Sequence, residues 1–373
     1  MADKTAKKEP TGQVDFILVV IILSLLLFGF IMLFSASSPD AVSGGLLSAI
    51  TRQGFIFGLG LVVMFFSATS DYHLYARFSK PIVLIAAAVM FLVPLIGIAS
   101  HGATRQISLG FISFQPSEFA KYVLILFYAA RFSNKKTQNL TDDYRNIITC
   151  AVVMLVFCAL CIFQSHMSAA IVLGAISILM MLVAGFPLKW TVIGGLAVVV
   201  LAAPFLIFQE SYRFNRILAL LDPFKYKQGI GWQIVQSLYA VGSGGLFGLG
   251  LGQSRQKYNY LPEAQNDYIY AVICEELGFI GGLAVILLFV VFIWRGICIA
   301  LNARDRFGMY TAFGITSIIA LQMLINIGVV LSVLPSTGMQ LPLFSSGGSS
   351  MLATMWGMGI LVNISKNSKI KKI

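Results

Sequence analysis

Residues 260–278 read YLPEAQNDYIYAVICEELG, and the point where their polar half gives way to an apolar run decides the fold. From Tyr268 to Trp294 the chain is apolar except for the adjacent Glu275 and Glu276. A run of that length crosses a hydrocarbon core about 30 Å thick, for which about 20 residues suffice. Carboxylates at or inside such a core are costly, so a chain that keeps them there uses them or pairs them.

Outward from this stretch the same pattern recurs. Ten apolar runs lie at about 15–35, 53–70, 80–99, 115–132, 146–163, 168–185, 191–208, 268–294, 308–332 and 346–364. Hydrophobic residues make up 58% of the 373 and charged residues 11%, with mean hydropathy +0.87. Soluble domains carry about 25% charged residues, and the alternation of a β-barrel is absent. The expectation is an all-α polytopic integral membrane protein of ten transmembrane helices, one domain over 1–373. Residues 1–14 and 365–373 are its tails, and a long structured extracellular loop at 209–267 joins spans 7 and 8. The first span is too long for a signal-peptide core and no cleavage site follows it, so it reads as retained.

The net charge of +11 resembles that of a nucleic-acid binder, but its distribution does not. Lys and Arg gather at both tails and in alternate short connections, whereas the short connections on the other side hold only Arg52 and Arg105. This positive-inside bias places both termini in the cytoplasm and leaves no nucleic-acid role. No Walker A run is present, and none of His73, His101 or His166 sits in a serine-hydrolase pattern. Cys150, Cys158, Cys161, Cys274 and Cys298 fall in or beside apolar runs without a zinc pattern and read as packed small hydrophobes.

The loop at 209–267 is long enough to carry structure of its own. GWQIVQSLYAVGSGG sets Ile234, Leu238 and Val241 at helical spacing, which predicts a short amphipathic helix at the outer interface. The glycines at 242, 244, 245, 248, 250 and 252 fit no nucleotide fingerprint and read as flexible backbone lining a cavity. Arg213, Arg216, Lys225, Lys227, Arg255 and Lys257 stand among Tyr212, Trp232, Tyr258 and Tyr260, a combination suited to phosphate or pyrophosphate head groups.

Asp267 closes this loop. An Asp before an apolar helix serves equally as an N-cap or as a reactive carboxylate at head-group level. Glu263, four residues earlier, is a secondary candidate, as are Glu275 and Glu276, about 12–14 Å further along the helix axis. At that depth at least one glutamate faces the interior, and a basic partner is expected. In SFQPSEFAK, Pro116 opens a helix that sets Glu118 and Lys121 three apart on one face. That spacing suits a structural ion pair, or a Lys121 that meets an anionic ligand with Arg105 beside it. The small residues of LPLFSSGGSS and of GFIFG (Gly54, Gly58) read as helix-packing signals.

Four stretches give the chain a resemblance to the SEDS family (shape, elongation, division and sporulation), the group of FtsW, RodA and SpoVE. They are SFQPSEFAK at 113–121, LDPF at 221–224, the block at 236–282 and LPLFSSGGSSMLATMWGMGIL at 341–361. GQSRQKYNYLPEA is similar to the FtsW branch, a pattern that sporulation paralogues share. The resemblance implies ten membrane helices and a peptidoglycan glycosyltransferase. Its substrate is lipid II, a disaccharide-pentapeptide on undecaprenyl pyrophosphate. The bacterial cytoplasmic membrane at the division septum is the implied location. A class B penicillin-binding protein and other division proteins are the implied partners, with no organic cofactor and a divalent cation (Mg2+ or Mn2+) as an option.

The family's essential acidic residue maps onto Asp267, and its Glu and Lys onto Glu118 and Lys121. Gln265-Asn266 departs from a frequent His-Thr, and His166 stands where many relatives carry an acid. A pyrophosphate leaving group needs cations rather than a proton, so one carboxylate acting as base suffices. A lipid II flippase and a division scaffold are the competing readings.

Overall fold

The computed structural model describes residues 12–38, 46–96, 98–100, 103–108, 113–134, 144–187, 189, 193, 196, 219–258 and 260–368. Their helices are α1 (Phe16–Ala36), α2 (Leu46–Thr69), the short α3 (His73–Arg77), α4 (Ser79–Ile96), α5 (Pro116–Phe132), α6 (Tyr144–Phe163) and α7 (Met167–Val183). After them come α8 (Trp232–Ser243), α9 (Ile269–Leu301), α10 (Arg306–Val330) and α11 (Gly348–Lys366). Five helical segments have the length and apolarity to cross a membrane: Phe16–Ala36, Thr51–Thr69, Arg145–Phe163, Ile269–Leu301 and Arg306–Val330. Ser79–Leu95 and Met167–Val183 are shorter apolar helices, and α5 and α11 fill the remaining described runs. Apart from residues 193 and 196, the run at 191–208 lies outside the described residues.

Two buried polar clusters bracket the pair formed by α1 and α9. At one end Asp15 accepts from the Arg295 guanidinium (Nη2–Oδ2 2.7 Å) and caps α1 through the Leu18 amide. At the other, the Ser35 hydroxyl donates to Glu276 at 2.7–2.8 Å. The stretch of α1 from Asp15 to Ser35 rises about 30 Å, the thickness of a hydrocarbon core. Glu276 therefore sits at the edge of the apolar slab, held by partners in the protein. At 33 residues, α9 is longer than the slab requires. Its first turns, Ile269 to Glu276, are buried in protein, while Phe279, Ile280, Leu283, Leu287, Val290 and Trp294 form an exposed apolar stripe.

Gly278 divides those two halves with a non-helical backbone (φ 68°, ψ −167°). The break frees the Glu275 and Glu276 carbonyls and the Phe279 and Ile280 amides from helical pairing, and the glycine-rich loop satisfies all four. Leu249 and Gly250 donate to Glu275 O and Glu276 O at 3.0 and 2.9 Å. Phe279 and Ile280 donate to Gly245 O and Leu246 O at 2.8 and 3.2 Å. Away from water each unpaired group is costly, so this exchange permits the break.

Of the glycines expected to line a cavity, Gly244 and Gly248 instead allow this close backbone approach. At Gly248 (φ 81°) a Cβ would overlap the Glu276 carbonyl. Gly248→Ala therefore combines a clash with a left-handed backbone, for a loss of about 2–4 kcal/mol. A lowered thermal midpoint in detergent, with Gly242→Ala (open space at the Cβ) near wild type, is the expected pair of results.

Three other expectations change. The connection before α5 carries a small antiparallel sheet, β1 (Ile98–Ser100), β2 (Ala103–Ser108) and β3 (Ser113–Phe114), so the fold is not wholly helical. Gly54 and Gly58 meet nothing within 4 Å, so they are not packing glycines. The tight contacts of α2 with α11 run instead through Gly60, against Met355, and Gly359, against Met64 and Ser67. The amphipathic helix is present as α8, but its most buried residues are Ile234, Val235, Gln236, Ser237 and Ala240, with Leu238 and Val241 only half-buried. Cys150, Cys158, Cys161 and Cys274 are buried free thiols and Cys298 is half-buried.

Candidate active site

Asp267 is half-buried at the entrance to α9. The N-cap of that helix is Tyr268, which makes no side-chain capping bond, so Asp267 does not occupy the capping position. The turn before it is shaped by Glu263, an exposed residue with φ 55°, whose carbonyl accepts from the amides of Asn266 (3.0 Å) and Asp267 (3.1 Å). The Glu263 carboxylate accepts from the Asn266 side chain at 2.5 Å, which makes Glu263 a residue that positions this turn. From α10 the buried Asn326 amide donates to Asp267 O (2.8 Å) and Met339 O (2.7 Å). Asp267 Oδ2 lies 3.4 Å from where a Cβ on Gly338 would be, so the carboxylate rests over the 338–339 backbone.

The serine run at 345–350 joins this corner to the second candidate pair. Ser346 N donates to Gln265 O at 3.0 Å, and the Ser345 hydroxyl donates to Asn266 O at 2.5 Å. Four residues on, the Ser349 hydroxyl donates to Ser113 O (2.7 Å) and accepts from Gln115 N (2.9 Å), at the start of α5. Ser350 stands beside the Glu118 carboxylate. Glu118 and Lys121 form a buried ion pair at 2.7 Å. His166, the N-cap of α7, stands 3.3 Å from the Ser117 hydroxyl and 3.4 Å from the Gln115 amide. Burial, reinforced by the Arg105 charge, pushes the His166 imidazole down to about 4, so it is neutral at pH 7. Arg105 donates to Ser165 O at 2.7 Å. One polar seam thus runs from the corner that carries Asp267 along residues 345–350 to the start of α5, which carries Glu118 and Lys121. The sequence reading took that serine run for packing and missed the seam.

The third group serves a different purpose. Lys257, expected among the substrate-facing cations, is buried and pairs with Glu276 at 3.0 Å. Its ammonium also donates to Gly252 O (2.8 Å) and Ser35 O (3.1 Å), which leaves it no solvent face. The Glu275 carboxylate accepts from the Ser254 hydroxyl (2.5 Å) and from the amides of Arg255 (3.0 Å) and Gln256 (3.3 Å). Both glutamates therefore fasten residues 252–257 against α9, and Lys257 belongs to that latch. Arg255, Lys225 and Lys227 are exposed, whereas Arg213 and Arg216 lie outside the described residues. Among the described residues no three His, Cys, Asp or Glu side chains converge as metal ligands.

A bundle of membrane-length helices with a polar seam at one end defines a polytopic membrane protein. The chain belongs to the FtsW/RodA/SpoVE family of cell cycle proteins, whose family model matches residues 16–370. It is 41% identical to the stage V sporulation protein E of Bacillus subtilis, over 98% of this chain and 99% of that protein. To the probable peptidoglycan glycosyltransferase FtsW of Trichlorobacter lovleyi it is 38% identical, over 96% and 95%. Its fold is similar to that of the rod shape determining protein RodA of Thermus thermophilus (TM-score 0.70, 25% identity, 96% and 98% covered). A chain of a peptidoglycan synthase complex described as coordinating polymerization and crosslinking is also similar (TM-score 0.76, 26% identity, 94% and 97% covered).

Proposed function

We propose that this protein is a peptidoglycan glycosyltransferase that polymerises lipid II into glycan strands at the outer face of the bacterial cytoplasmic membrane, in septal wall synthesis. The observation that carries the proposal is the seam. Asp267 is held at the mouth of α9 by backbone contacts, and residues 345–350 link its corner to the start of α5, which carries Glu118 and Lys121. Asp267 takes the proton from the acceptor sugar's 4-hydroxyl as that oxygen attacks the donor's anomeric carbon. The new glycosidic bond forms with inversion, and the bond to undecaprenyl pyrophosphate breaks. Arg105, Arg255, Arg213 and Arg216 are assigned to the pyrophosphate charge, and Lys121, oriented by Glu118, to the deeper anionic group.

The topology in this reading has ten spans and both termini in the cytoplasm. It is supported by Arg131, Arg295, Arg304, Arg306 and Lys366, which all stand at helix ends opposite the seam. A class B penicillin-binding protein is the expected partner, with other division proteins around it. The Glu276 carboxylate, which a flippase would use, is paired with Lys257 within the protein, which favours the polymerase. Purified protein supplied with labelled lipid II should give long glycan strands on a gel, more with the penicillin-binding partner present. Movement of labelled lipid across vesicles with no polymer would overturn the reading in favour of transport.

A further inference from the structure

The tip of the glycine-rich loop carries an apolar surface that the chemistry above does not use. Leu246 and Phe247 are 64% and 79% exposed, and Leu251 beside them is also exposed. This tip is locked in place by the four backbone bonds that tie residues 245–250 into the break of α9. Immediately after the break, Phe279 and Ile280 begin the stripe that α9 presents to lipid. Phe279 N and Ile280 N are the groups bonded to Gly245 O and Leu246 O, so the loop tip and the lipid-facing stripe are contiguous. Both lie at the edge of the apolar slab marked by Ser35 and Glu276.

We infer that residues 246–251 form a re-entrant membrane anchor, with Leu246 and Phe247 seated among the acyl chains of phospholipid at the end of the bilayer nearest Asp267. Non-helical backbone is tolerated at membrane depth only where protein satisfies it, and here α9 does so. Apolar side chains continuous with a lipid-facing stripe gain from the same hydrocarbon that the stripe meets. The anchor would fix the height of the 252–267 loop, and so of Asp267, above the membrane. The inference stands on the membrane-spanning fold and does not depend on the reaction assigned to Asp267.

Photo-crosslinking in the full chain tests it. Benzoylphenylalanine replaces Leu246, Phe247 or Tyr260 (an exposed aromatic outside the tip) in three separate samples; each is reconstituted in phosphatidylglycerol–phosphatidylethanolamine vesicles and irradiated. Mass spectrometry should find a phospholipid adduct at position 247 in severalfold excess over position 260, and the same at position 246. No lipid adduct at 246 or 247, or equal yields at 247 and 260, would overturn the anchor. A protein adduct at 247 that replaces the lipid adduct once the penicillin-binding partner is added would also overturn it and assign the tip to a protein interface.

Discussion

Asp267→Asn should lower lipid II polymerisation by about a hundredfold to ten-thousandfold, the usual contribution of a positioned general base. The substitution keeps the side chain's shape and removes its negative charge and its capacity to take a proton. Two contacts that place residue 267 run through its backbone, its amide to Glu263 O and its carbonyl to the Asn326 side chain, and Asn keeps both. The expected result is a thermal midpoint near wild type while activity falls. Asp267→Glu keeps the base but moves it by one methylene toward Gly338, over which the carboxylate already rests. A displacement of about 1 Å can cost about a hundredfold, so this variant should lie between wild type and Asn. Polymer yield from lipid II on gels, read beside melting curves, checks both. An Asn variant with near wild-type polymer yield would remove Asp267 from the chemistry.

Lys257→Met should destabilise the protein by about 3–5 kcal/mol, the loss expected when one partner of a buried ion pair is removed. It leaves the Glu276 carboxylate in the bundle with only the Ser35 hydroxyl and the Ser254 amide to solvate it. Glu276→Gln strands Lys257 in the same way. The double variant Lys257→Met/Glu276→Leu removes both charges and should recover part of the loss, since an apolar pair can replace a buried salt bridge. Arg255→Ala, two residues away and exposed, should leave stability within about 0.5 kcal/mol. Unlike Asp267→Asn, the Lys257 variant should lose activity and thermal stability together, because it releases the loop that carries the site. Melting temperatures that do not respond to Lys257→Met would refute the latch.

What could be read in advance follows from the range of each interaction. Membrane helices announce themselves by local apolar length, which is why runs such as 15–35 and 308–332 appear as Phe16–Ala36 and Arg306–Val330. Pro116 and the Glu118–Lys121 spacing are also local, and that pair forms as the spacing indicates. The cost of burying Glu276 was legible as well, but its partner was not. Lys257 sits in a loop rich in cations, and nothing in its neighbours distinguishes it from exposed Arg255. Its selection depends on where 252–257 folds back on α9 and on Ser35, far away in the chain.

The glycines show the same division. Their number at 242–252 signalled an unusual backbone, and Gly278 lay in plain view inside an apolar run. That the helix breaks there, and that the loop fills its missing hydrogen bonds, depends on pairing between segments about 30 residues apart. The serine run at 345–350 joins Asn266 and the start of α5 only once α11 has packed beside α5 and α9.

The sequence by itself determined a helical membrane protein, the helices built on its apolar runs, and Asp267 as the carboxylate to examine. The stretch at 260–278 carried most of that, because hydropathy and helix length are properties of consecutive residues. Only the tertiary structure decided the surroundings of each carboxylate: Asp267 set at the mouth of α9, Glu275 and Glu276 bonded to the loop at 252–257. A buried charge takes its role from the groups that surround it, and those groups come from distant parts of the chain.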